Sequence, residues 1–134
     1  MTIEQIFLNA VESWRSNKGV GTMVCPPPLN DKVPLLLILQ RIYSRSPTCN
    51  TVIIVENFND RLDLIDFLTK QEDEENNKEF KRLLDEKNIR IITISFFNSG
   101  RWNSTAFLGI IYNTENFTNF NKKQFLKEFK IFFY

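Results

Sequence analysis

Apolar residues fall in two rhythms along this chain, and the changes between them divide it into elements. Ile3, Ile6, Phe7, Ala10, Val11 and Trp14 recur at helical spacing, so residues 2–16 read as an amphipathic helix with Thr2 as its N-cap. Ser16 to Gly19 is a turn, and "VGTMV" at 20–24 is a short buried strand. "VPLLLILQRIYSR" reads as a helix that starts near Asp31, with Asp31 as cap and Pro34 in the first turn, where its missing N–H does no harm. That run is apolar nearly all round, which predicts deep packing on every side. "TVIIVE" at 51–56 is a β-branched run of the kind buried on both faces of a parallel sheet. Residues 59–70 read as a helix with Leu62, Ile65 and Leu68 along its inner side. The acidic "QEDEENN" at 71–77 reads as a solvated loop or exposed helix end, and 78–86 as a helix with Phe80, Leu83 and Leu84 inside. "IRIITISFF" at 89–97 and "AFLGIIYN" at 106–113 are strands, 120–130 is a helix with Phe125, Leu126 and Phe129 inside, and the closing "IFFY" is a last strand.

Strands alternating with helices predict an α/β fold: a three-layer sandwich around a mostly parallel central sheet of about four to five strands, formed by one domain over 1–134. In such sheets ligands bind beyond the carboxyl ends of the strands. The stretches to inspect are therefore Pro26 to Lys32, Glu56 to Asp60, Asn98 to Arg101 and Asn113 to Asn116.

Composition narrows the chemistry available there. The chain has 134 residues, 43% hydrophobic and 25% charged, with a formal net charge of +1; no global field draws it to nucleic acid or membrane. It contains no histidine, which removes the commonest general base, the usual nucleophile pairings and every His-ligated metal site. Cys25 and Cys49 lie in no Cys-x-x-Cys and cannot build a zinc site alone. The opening "MTIEQIFLNAV" has no basic segment and no long apolar core, which predicts an intracellular protein, cytoplasmic or nuclear, that is neither secreted nor membrane-spanning.

"CPPPLNDKV", 25–33, occupies the strand-to-helix junction where a phosphate-binding loop would lie, and it holds three prolines and no glycine. With "AVESWRSNKGVGTMVCPP" before it and "TVIIVENFNDRLDLIDFLTK", "RIITISFFNSG" and "FLGIIYNTENF" after it, the chain resembles the first RecA-like domain of superfamily two helicases of the DEAD/DEAH type. The resemblance implies a RecA/P-loop-like half, a phosphate loop over Pro26 to Val33 of which Pro27 and Lys32 survive, and an acid motif at Asn113-Thr114-Glu115-Asn116. It also implies two segments that touch nucleic-acid backbone, after 51–56 and at the end of 89–97.

The departures from that pattern decide the activity. A phosphate cradle needs small residues whose backbone can close on the anion. Leu29 and Asp31 replace the glycines, and Pro26, Pro27 and Pro28 remove three N–H donors. Val33 lacks the hydroxyl that would hold Mg²⁺, Asn113 and Thr114 replace the carboxylates that position it, and Glu115 is one residue out of register. The family hydrolyses ATP between two lobes, and this sequence carries one. The expectation is a pseudoenzyme with no cofactor and no metal.

A rival resemblance lies in "VIIVENFND": toprim domains end a strand in Val-Glu-Gly with an aspartate soon after, as Glu56 and Asp60 do here with Asn57 in place of the glycine. That family also needs an Asp-x-Asp pair at the end of the next strand, where this chain has Ser95-Phe96-Phe97-Asn98. Otherwise Glu56 is an acid bonded to the next helix N-terminus. Asp60, Asp63 and Asp66 spread over a solvent-facing arc.

Surfaces remain. Arg101 and Trp102 place a cation beside an aromatic at a strand's carboxyl end, a pairing suited to base stacking or a protein hot spot. Lys122 and Lys123 open a tail in which lysines interleave with phenylalanines, either a helix docked on the sheet or a basic patch. These are the binding candidates. The sequence reading is a catalytically inactive helicase-like domain that acts as a protein-binding adaptor or structural subunit, its partner a larger protein in a nucleic-acid-handling assembly or in one of viral or plasmid type. The alternatives are a toprim-like Mg²⁺-dependent nuclease, an ATPase completed by another chain, and a single-stranded nucleic-acid-binding module.

Overall fold

A computed structural model describes residues 5, 9, 12, 22–24, 32–101, 108–112, 120, 123–125, 129 and 131–133. Its strands are β1 (Thr22–Val24), β2 (Thr51–Val55), β3 (Ile89–Thr93), β4 (Leu108–Ile111) and β5 (Ile131–Phe133). The helices between them are α1 (Lys32–Arg45), α2 (Phe58–Thr69), α3 (Glu74–Asp85) and α4 (Ile94–Asn98). Gln5, Asn9 and Glu12 are helical and exposed, four and three residues apart, as on the polar face of the amphipathic helix read from the sequence.

The fold is α/β around a small open sheet in which every pairing is parallel, in the order β1-β5-β4-β2-β3. Strand β2, paired with β4 on one side and β3 on the other, has all five residues buried. Alternation along the strands splits the apolar side chains between the two faces. Ile53, Val55, Ile89, Ile91, Leu108 and Ile110 meet the helices α1, α2 and α3 on one face. On the other, Val52, Ile54, Ile92 and Ile111 pack with Phe97 of α4 and with Phe120, Phe125 and Phe129. Four phenylalanine rings make that second core, with centroids from 4.9 Å (Phe125–Phe129) to 6.4 Å (Phe97–Phe129) apart. Phe129 lies against Gly109 of β4, so closely that a methyl group there would stand 2.5 Å from the ring.

The amino edge of the sheet is held by Tyr43. Its hydroxyl lies 2.8 Å from the carbonyl oxygen of Cys49, 3.1 Å from that of Asn88 and 3.0 Å from Thr51 Oγ1. Both carbonyls are acceptors, so the phenol proton goes to them and the Thr51 hydroxyl donates to the phenol oxygen. One side chain thus ties the end of α1 to the starts of β2 and β3.

Several elements depart from the sequence reading, each for a local reason. Strand β3 stops at Thr93 instead of running to Phe97: the Thr93 hydroxyl accepts from the N–H of Phe96 at 3.2 Å and caps α4. The acidic stretch after Gln71 is the exposed helix end that the sequence allowed, and the helix starts at Glu74 instead of 78. Asp73 accepts from the N–H groups of Glu75 and Asn76, and α3 starts there with Glu74 and Glu75 in its first turn, where the helix dipole favours acids. Gln71 and Asn77 exchange hydrogen bonds that close the α2–α3 turn. Helix α1 is not buried all round, since Val33 and Leu37 are about half exposed. In α2 the buried positions are Leu64, Leu68 and Thr69, and Leu62 faces outward.

Candidate binding surface

All five strands run the same way, so the loops after β1, β2, β3 and β4 leave the sheet at one edge. Strands β1 and β4, which precede the Pro26 to Lys32 and Asn113 to Asn116 stretches, are separated by β5 alone, a distance of about 10 Å at ordinary strand spacing. Pro27, Asn113 and Glu115 lie outside the described residues, as do Trp102 and Lys122. Lys32 is half-buried with its ammonium 5.8 Å from the centroid of the Phe67 ring of α2, within cation–π range.

At the second position Glu56 is exposed, and the group that caps α2 is Asn57, whose Oδ1 accepts from the N–H of Asp60 at 2.9 Å. The expected role of Glu56 as a helix-end acceptor therefore belongs to its neighbour. Asp63 and Asp66 are exposed, Asp66 pairing with Lys70 at 3.3 Å, and Asp60 is half-buried. Among the described residues no group of three or more His, Cys, Asp or Glu side chains could hold a metal ion. Arg101 is exposed, its N–H donating to Ser99 Oγ, and Lys123 is exposed on a helical turn.

A groove lies elsewhere, along β3. This strand ends the sheet, so half of its backbone groups face outward. The N–H of Thr51 donates to the carbonyl of Asn88 at 2.7 Å; by alternation Arg90 and Ile92 also aim their N–H and C=O groups at β2, and Ile89, Ile91 and Thr93 aim theirs away. Beside that edge runs an open groove of about 740 Å³. One wall is a stripe on α2, Phe58, Arg61, Ile65 and Thr69, which recur every three or four residues. Lys81, Leu84 and Asp85 of α3 and Lys87 continue it, and Phe96 of α4 closes the carboxyl end.

Two properties set this groove apart. Phe58 is 59% and Phe96 39% exposed and both line the groove, while Leu62, one turn beyond Phe58 on α2, is 44% exposed; large apolar groups gathered in water mark a contact surface better than scattered ones. The lining is also basic, with Arg61, Lys81, Lys87 and Arg90 against Asp85. Arg61 Nε already donates to the outward carbonyl of Ile91 at 2.8 Å.

The thiol of Cys49 lies at the amino end of the sheet, just before β2. Burial pushes its pKa up to about 11, against a smaller lowering by the hydrogen bond from Thr51. Burial likewise raises the Tyr43 phenol far above its ordinary value. Neither group is poised for chemistry near neutral pH.

The sequence reading did not single out Phe58, Arg61, Phe96 or Arg90. Their signal is positional: Arg90 interrupts an otherwise apolar strand, as charges do on edge strands. No family model, no curated protein and no solved structure matches this chain.

Proposed function

We propose that the chain is a catalytically inactive, RecA-like lobe, a three-layer helicase-type half that acts as a protein-binding adaptor or structural subunit of a nucleic-acid-handling assembly. The observation that carries the binding half of this reading is the two exposed rings, Phe58 and Phe96, that line the groove with Arg61. Aromatic and arginine side chains of this kind dominate protein contact energies. The inactive half is supported by Lys32, whose charge sits against the Phe67 ring, and by the sequence around it, which has prolines where a phosphate needs glycines.

A photo-crosslinking residue placed at Phe58 should capture one partner protein in the cells that make this chain, and the same residue at exposed Glu75 should not. Equal capture from both positions refutes the surface. Mg²⁺-ATP should leave the melting temperature unchanged, since a ligand that binds the folded state raises it; a rise of several degrees refutes the inactive half.

Arg101, exposed at the carboxyl end of the sheet, favours the second reading, a single-stranded nucleic-acid-binding module. It requires affinity that falls steeply with salt and weakens in Trp102→Ala.

A further inference from the structure

The groove beside β3 has the features of a site for one more strand, and we propose that it receives an extended acidic segment of the partner protein, which pairs with the outward backbone groups of Ile89, Ile91 and Thr93. The inference rests on the protein-binding reading above and names the chemistry of its partner. Backbone comes first. An edge strand presents unpaired N–H and C=O groups at every second residue, and adding a peptide strand satisfies them in register. Strand β3 offers the outward groups of Ile89 and Ile91 and the N–H of Thr93, whose carbonyl, at the cap of α4, accepts that helix's first bond, and among the described residues no strand lies beyond it. An open trough along a strand suits an extended chain better than a compact ligand.

Charge then selects the segment. Arg61, Lys81, Lys87 and Arg90 line the trough and form no ion pair among the described residues, whereas Arg82 of α3 is clamped between Glu79 and Glu86 at 2.6 and 2.7 Å. Four cations against Asp85 make this trough strongly basic in a chain whose net charge is +1. A second copy of the chain would bring the same cations against themselves, which disfavours edge-to-edge dimers.

Arg61 supplies the selectivity. It occupies the Ile91 carbonyl, which an incoming N–H must reach. A neutral segment displaces that bond and leaves the guanidinium with water. A segment carrying Asp or Glu beside its pairing residue gives Arg61 a carboxylate instead, a charge-assisted bond stronger than the one surrendered. The arginine thus blocks the edge against arbitrary strands and yields it to acidic ones. Phe58 and Phe96, at the carboxyl end of the trough, provide apolar cover for one large side chain of the guest.

The test is an NMR titration of the ¹⁵N-labelled chain with capped eight-residue peptides: alternating threonine and glutamate, the same with lysine for glutamate, and the glutamate peptide with proline at every second position. Oligothymidylate is the fourth probe. The glutamate peptide should shift the amides of Ile89, Ile91 and Thr93 and slow their exchange. It should bind less tightly as salt rises, and about tenfold less tightly to the Lys87→Glu, Arg90→Glu double variant. The lysine and proline peptides should do neither. In Arg61→Ala the glutamate and lysine peptides should become more alike, because the selecting charge is gone.

Absence of any response at millimolar glutamate peptide overturns the proposal, as does an equal response to the lysine peptide. Protection of these amides that grows with protein concentration alone assigns the edge to a second copy, and protection by oligothymidylate assigns it to nucleic acid; either overturns the proposal. A partner captured at Phe58 while the edge amides stay unprotected leaves the adaptor reading standing and removes this one. Edge pairing in a chain that Mg²⁺-ATP stabilises does the reverse for the inactive lobe.

Discussion

Replacing Gly109 by alanine tests the packing of the second core. The added methyl would sit 2.5 to 2.8 Å from three atoms of the Phe129 ring. Carbon atoms in contact stand about 3.5–4.0 Å apart, so the ring must retreat by about 1 Å. It has little room, being 3% exposed, with Phe125 at 4.9 Å and Phe97 at 6.4 Å between centroids. Over-packing of this kind costs about 1–3 kcal/mol. Alanine is otherwise better than glycine in a strand by about 0.5–1 kcal/mol. The net expectation is a loss of about 1–2 kcal/mol, a fall in Tm of about 3–10 °C for a domain of this size. Urea denaturation of four proteins measures it: wild type, Gly109→Ala, Phe129→Ala and the double variant. Phe129→Ala alone should cost about 3–5 kcal/mol through the cavity it leaves. In that background Gly109→Ala should cost nothing or stabilise, because its methyl enters the space the ring vacated. An equal cost in both backgrounds, or no cost in the wild type, refutes the contact between β4 and Phe129.

Three other expectations follow from single side chains. Tyr43→Phe leaves the Cys49 carbonyl without the phenol donor and should cost about 1–2 kcal/mol in urea denaturation; Asn88 loses less, because its carbonyl keeps the N–H of Thr51. With Cys25 replaced by serine, Cys49 should react with an uncharged disulfide reagent at pH 8 far more slowly in the folded than in the urea-unfolded chain. Its raised pKa of about 11 also carries a sign: stability linked to this thiol is full below its unfolded pKa and declines as pH rises toward the folded one. Glu79 is held below the usual glutamate range by its hydrogen bond from Arg82, so Arg82→Ala should raise the Glu79 pKa in a ¹³C-detected titration; the small contribution of this exposed pair is present above the unfolded pKa and fades as pH falls through the folded one.

Most of the fold was legible because one kind of signal dominates it. β2 is five β-branched residues in a row, and strands of that type are buried on both faces wherever they occur. The helices from Lys32 and Phe58 follow from their apolar periodicity to within a residue or so at their starts. What was not legible turns on hydroxyl and carboxylate groups that compete with backbone partners. "IRIITISFF" has the composition of a nine-residue strand, yet Thr93 can accept from an N–H three residues on, and that local bond ends the strand. Asp73 does the same inside an acidic stretch that reads as solvated. Leu62 satisfies a helical spacing as well as Leu64 does, and which of them faces the sheet depends on how α2 settles against β2 and β3, a tertiary fact.

The β3 groove was not legible in the sequence. Sequence patterns pointed to the carboxyl edge through the strand ends, and to Arg101 and Lys123 as surface cations. The β3 edge became visible when strand order made "IRIIT" the end of the sheet. A chain whose local choices otherwise agree with its fold breaks three rules there. Arg90 is a charge within an apolar strand, Phe58 and Phe96 are aromatic groups left in water, and Arg61 spends its guanidinium on a strand carbonyl that a neighbouring strand would normally take. Departures of this sort gather where a protein is built to meet something else. Arg61 alone would read as protection of an edge, and the two phenylalanines alone as chance exposure. Together they describe an edge guarded against strands in general and furnished to receive one kind.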